Sequence, residues 1–75
     1  MDKDFSAEYK LLGANVSYFR KRRELSQEDL ACLCEVDRST IGRIETAFSG
    51  ISLDTVFKIA RALDIEPYKL FKEHS

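Results

Sequence analysis

Gln27-Glu28-Asp29-Leu30-Ala31-Cys32-Leu33-Cys34-Glu35-Val36-Asp37-Arg38-Ser39-Thr40-Ile41-Gly42-Arg43-Ile44-Glu45-Thr46 lies at the middle of the chain. It reads as two short helices joined by three residues. Ser26 precedes it as a strong N-cap, and Asp29 stands where the acidic member of a capping box belongs, although Glu or Gln is usual there. The first helix, about Gln27 to Cys34, buries Leu30, Ala31 and Cys34. Glu35-Val36-Asp37 forms the break. Asp37 is positioned to cap the second helix, about Arg38 to Thr46, whose apolar residues are Ile41 and Ile44. Ala31 is the small residue where two helices must approach closely. Two helices in this order and spacing form the pattern of a helix-turn-helix, in which the second helix enters the DNA major groove.

The flanks supply the rest of a core. On the N-terminal side, about Ser6 to Arg23, Leu12, Val16 and Phe19 recur at i, i+4, i+7 on one helical face. That helix ends in Arg20-Lys21-Arg22-Arg23, where cations suit the negative end of the helix dipole. On the C-terminal side, Ala47 to Ile51 reads as a loop. Ser52 then caps a helix carrying Leu53, Val56, Phe57, Ala60 and Leu63 as its apolar stripe. Pro67 suits the first turn of a last short helix ending near Phe71. No segment alternates apolar and polar residues long enough to read as a strand. The expected architecture is all-α: one compact bundle of four to five short helices spanning residues 1–75, with residues 1–5 and 73–75 frayed.

Composition excludes several classes. The chain has 75 residues, 44% of them hydrophobic and 33% charged, which suits one soluble domain and leaves little room for a second. Its net charge of −1 is a cancellation. Lys10, Arg20, Lys21, Arg22 and Arg23 form a basic block. Glu24, Glu28, Asp29, Glu35 and Asp37 form an acidic one directly after it. That rules out an indiscriminately basic nucleic-acid coat and implies few phosphate contacts with a shallow salt dependence. No apolar run approaches the roughly 20 residues of a membrane helix, and the acidic N-terminus lacks the order of a signal peptide. Cys32 and Cys34 project to nearly opposite sides of a helix, with Cys34 in the core and Cys32 near the surface. They cannot pair with each other or complete a metal site. Two free thiols suit a reducing cytoplasm. The single histidine, His74, has no nucleophile or base partner, so an enzyme is not expected, and no cofactor, metal or small-molecule ligand is indicated.

Beyond these derivations, the chain resembles the lambda-repressor-like (Cro/CI, XRE) helix-turn-helix family over about Leu12 to Phe71. The resemblance is carried by Leu12-Gly13, Phe19-Arg20, Leu25-Ser26-Gln27-Glu28-Asp29-Leu30-Ala31, Arg38-Ser39-Thr40-Ile41 and Arg43-Ile44-Glu45. Further matches are Ser52-Leu53-Asp54-Thr55, Lys58-Ile59-Ala60-Arg61-Ala62-Leu63 and Pro67-Tyr68-Lys69-Leu70-Phe71. It implies a sequence-specific, double-stranded-DNA-binding transcriptional regulator. Arg38, Ser39 and Arg43 occupy positions that in the family face base edges, where an arginine can grip guanine O6 and N7. Gln27 is similar to the family's phosphate-binding glutamine, and Ser26 and Thr40 join it as expected phosphate contacts, Thr40 also suiting a thymine methyl. Arg20 and Glu45 match a family ion pair that orients the recognition helix.

Three departures stand out. Glu35 occupies the turn position where the family favours glycine, so a non-glycine residue is expected at positive φ. Thr46 to Ile51 carries no charge where the family usually has basic residues, which lowers the expected grip on phosphate. Ile51 replaces a proline and leaves, with Phe48, an apolar loop in which Phe48 is expected to cover the core. One recognition helix reads only a few base pairs, so a homodimer on a near-palindromic operator is expected. The resemblance places that contact on the C-terminal helices, with Tyr68, Leu70 and Phe71 as apolar surface, Leu70 alternatively serving the core. The competing reading is a protein-interaction module, such as an antitoxin that neutralises a partner and represses its own promoter.

Overall fold

The computed structural model describes residues 5–46 and 50–74. They form four α-helices, α1 (Ser6–Arg22), α2 (Gln27–Cys34), α3 (Arg38–Glu45) and α4 (Leu53–Leu63), followed by a 3-10 helix (Pro67–Phe71). No strand occurs among the described residues. The helix boundaries follow the sequence reading to within one residue. The expected loop lies largely outside the described residues, as does Phe48.

Three of the four α-helices end in the same way. Glu24, Glu35 and Asp64 take left-handed backbone conformations with φ of 58°, 59° and 57°. The next residue's N–H reaches back five positions: Leu25 to the Arg20 carbonyl, Val36 to Ala31 and Ile65 to Ala60, at 3.0–3.1 Å. Each is a Schellman motif closed by an apolar residue, and Leu25, Val36 and Ile65 all lean on the core. The positive φ at Glu35 was expected. The same geometry at Glu24 and Asp64 was not, because neither residue is the glycine that normally marks it. Glycine would fit each position without the Cβ penalty.

At the N-termini, the expected capping box on α2 is complete. The Ser26 hydroxyl accepts the Asp29 N–H at 2.9 Å, and the Asp29 carboxylate accepts the Ser26 N–H at 3.0 Å. The hydrogen bond from the Ser26 N–H, then that from its hydroxyl, holds the Asp29 carboxyl below its ordinary pKa. Ser52 caps α4 by accepting the Thr55 N–H at 3.2 Å. Asp37 does not cap α3, because its side chain makes no cap hydrogen bond.

The core is the meeting place of all five elements. Leu12 and Val16 from α1 meet Leu30, Ala31 and Cys34 from α2 and Ile41 and Ile44 from α3. The α4 stripe differs from the expected one. Val56, Ile59, Ala60 and Leu63 are buried, whereas Leu53 and Phe57 are exposed, so the stripe is rotated toward Ile59. Burial pushes the Cys34 thiol pKa up, more than nearby Lys58 lowers it, and Cys32 is exposed.

Two devices close the bundle, one steric and one polar. Gly13 admits the α3 backbone: a Cβ there would overlap the Ile44 carbonyl oxygen and lie 3.1 Å from that of Glu45. Buried Asn15 donates to the Leu70 and Lys72 carbonyls at 2.9 and 2.8 Å, fastening the C-terminal segment to α1. His74 adds to this. Its ring stacks on Tyr18 at 5.6 Å, meets Phe19 edge-on at 4.9 Å, and its Nε2 lies 2.7 Å from the Lys69 carbonyl. His74 is thereby held against α1. Residues 1–4 and Ser75 lie outside the described residues, and Phe5 leads into α1 with its side chain exposed.

Candidate nucleic-acid interface

The inner side of α3 is committed to structure. Ile41 and Ile44 are almost fully buried, and they alternate with exposed Arg38, Ser39 and Arg43 so that the polar residues occupy the opposite side. Thr40 is half-buried at the flank. Thr40 and Arg43 line a cleft with Gly50, Ile51, Ser52 and Thr55, at the N-terminus of α4. No pattern in the sequence signals this concavity.

The C-terminal end of α3 is pinned by one carboxylate. Glu45 receives the Arg20 Nε–H at 2.6 Å through Oε2 and an Arg20 Nη2–H at 3.1 Å through Oε1. The pairing is bidentate and almost dry, with the two side chains 11% and 7% exposed. Arg20 also donates through Nη1 to the Leu25 carbonyl at 2.7 Å, so the same guanidinium holds the turn into α2. A third donor completes the junction: Gln27 Nε2–H reaches Glu45 Oε1 at 3.0 Å. Arg20 and Glu45 were singled out from the sequence, but the bond between Glu45 and Gln27 was not. Eighteen residues separate them, and no local pattern signals it.

Ser26 and Gln27 open α2, with Ser26 exposed and Gln27 half-buried. The Ser26 oxygen accepts the capping bond from the Asp29 N–H. The basic block of α1 ends just before these residues. Within it, Arg22 lies over the Tyr18 ring at 5.4 Å, and Arg23 approaches Asp64 at 3.4 Å in an exposed ion pair. Such an exposed pair contributes little to stability. Among the described residues, no group of His, Cys, Asp and Glu side chains is arranged to hold a metal ion, and no helix is long and apolar enough to cross a membrane.

This geometry has close counterparts. The profile of the HTH_3 helix-turn-helix family matches residues 16–70. The control protein C.BamHI of Bacillus amyloliquefaciens is 38% identical over 61 residues, covering 80% of this chain and 75% of that protein. A hypothetical transcription factor of Neisseria meningitidis serogroup B is 35% identical over 60 residues, covering 80% of this chain and 57% of that protein. Among solved structures, the restriction-modification controller protein C.AhdI from Aeromonas hydrophila superposes with a TM-score of 0.83 at 42% identity. That match covers 87% of this chain and 98% of C.AhdI. With two abutting eight-residue helices, their shared polar junction and a profile match over most of its length, the chain belongs to the HTH_3 helix-turn-helix family.

Proposed function

We propose that this protein is a sequence-specific, double-stranded-DNA-binding transcriptional regulator that places α3 in the major groove of a near-palindromic operator. The observation that carries this reading is the division of α3 into two sides. One is fixed by Ile41, Ile44 and Glu45, and the other exposes Arg38, Ser39 and Arg43. In this reading Arg38, Ser39 and Arg43 contact base edges, while Ser26, Gln27 and Thr40 contact phosphate. The likeness to C.BamHI and C.AhdI supports a control protein of the restriction–modification type, acting in the cytoplasm without catalysis. The interaction-module alternative draws no support from these relatives.

Operator symmetry calls for two copies. Phe5, Leu53 and Phe71 border one apolar groove, and Phe57 and Tyr68 are also exposed. This surface near the C-terminal helices is the proposed dimer contact. Leu70 is excluded from it, because its side chain is completely buried in the core. Selection of bound sequences from random duplexes tests the proposal. A near-palindromic consensus is expected, and the absence of any enriched sequence at low salt would overturn it.

A further inference from the structure

We infer that Glu45 is a positioning residue for the phosphate contact of Gln27, fixing which atom of the amide faces the DNA. The inference rests on the reading of Gln27 as a phosphate ligand. A carboxylate only accepts hydrogen bonds, so Glu45 Oε1 requires an N–H from the amide, and the amide orientation is decided. The Gln27 carbonyl oxygen is then turned toward α3, where it lies 3.8 Å from the place a Cβ would take on Gly42. The second N–H of Nε2 has no protein acceptor among the described residues. That N–H is the group a phosphate oxygen accepts. In the flipped orientation the amide would present its oxygen, which a phosphate repels.

A bare carboxylate this close to a phosphate-binding group would itself oppose the DNA. Arg20 removes that objection by meeting Glu45 with two hydrogen bonds, so the pair is electrically neutral. The three residues therefore divide one task. Arg20 neutralises, Glu45 orients and Gln27 contacts. Holding the flexible glutamine in place before DNA arrives also moves its ordering cost from binding to folding.

A double-mutant cycle tests this on the full chain, using a duplex selected by the wild-type protein and a scrambled duplex. Gln27→Ala, Glu45→Gln and the double variant are compared, with each variant's melting measured alongside. Gln27→Ala and Glu45→Gln are each expected to weaken binding about tenfold, as befits one charge-assisted hydrogen bond. The loss is equal on both duplexes, because phosphate contacts carry no sequence information. The double variant is expected to bind no more weakly than the worse single one. Additive losses, or a Glu45→Gln loss confined to the selected duplex, overturn the positioning role while leaving Gln27 a phosphate contact. Unchanged binding in Gln27→Ala overturns both. If Glu45→Gln does not fold, side-chain amide relaxation in the wild-type protein decides. An Nε2 group as rigid as the backbone supports the assignment, and a freely rotating one overturns it.

Discussion

The two helices of the helix-turn-helix are both eight residues long, yet they are held by different means. α2 is specified locally, with a capping box at one end, a Schellman motif at the other and three buried side chains between. α3 has no side-chain cap at its N-terminus, and its C-cap Thr46 keeps φ negative. There the Thr46 hydroxyl bonds back to the Gly42 and Arg43 carbonyls instead. What fixes α3 is tertiary: two buried isoleucines, the close pass of Gly13, and the Arg20–Glu45 pair. The recognition helix is thus supported from behind and from one end. None of these supports comes from Arg38 or Ser39, which lie exposed on its other side.

Breaking the comparison begins with Arg20→Ala. This change strands Glu45 nearly dry and releases both the Leu25 turn and the end of α3. Removing one partner of such a pair costs about 3 kcal/mol, which thermal or urea unfolding will show as a large fall in stability. Melting unchanged by this substitution would contradict the support assigned to α3.

The caps give a smaller and sharper contrast. Ser26→Ala is expected to cost about 1 kcal/mol, whereas Asp37→Ala changes stability by less than about 0.5 kcal/mol, since only Ser26 forms a cap hydrogen bond. The capping box also has a pH signature. The folded-state pKa of Asp29 is depressed, so its contribution is present above the ordinary carboxylate range. It is lost as pH falls through the lowered value. Asp29→Asn should flatten the acid side of the stability profile, and a profile identical to the wild type's would count against the cap.

Smaller still, and opposite in sign, is the replacement of the left-handed residues. Glu24→Gly, Glu35→Gly and Asp64→Gly each relieve a positive φ and are expected to gain about 0.5 kcal/mol, partly offset by glycine's greater freedom when unfolded. Chemical denaturation of the three single variants measures this. No equivalent gain is expected at Thr46, where φ is −99°.

The sequence disclosed the ends of α2 almost completely because its cap and its closing apolar residue lie within two residues of them. Ser26, Asp29 and the apolar Val36 announce their roles by position. α3 was located correctly but its support was misread at Asp37, whose type suits a cap that its side chain does not form. Phe57 and Ile59 both fall within the helical apolar pattern of α4, and only the neighbouring helices decide that Ile59 enters the core. Asn15 and His74 gave no signal at all. The carbonyls that Asn15 serves are 55 and 57 residues away, and His74 becomes part of the fold only by stacking on α1. Of the interface, the ion pair was legible by its match to a family pattern. The addition of Gln27 to that pair was not, because it depends on how α2 and α3 meet.

The most direct test of the central claim is the melting temperature and DNA preference of Arg38→Ala, measured together. The account predicts melting within a degree or two of wild type, because Arg38 is exposed and lies away from the buried side of α3. It also predicts a roughly tenfold or greater loss of preference for the selected duplex over a scrambled one. A variant that melts much earlier, or that keeps the full preference, would contradict the separation of support from recognition.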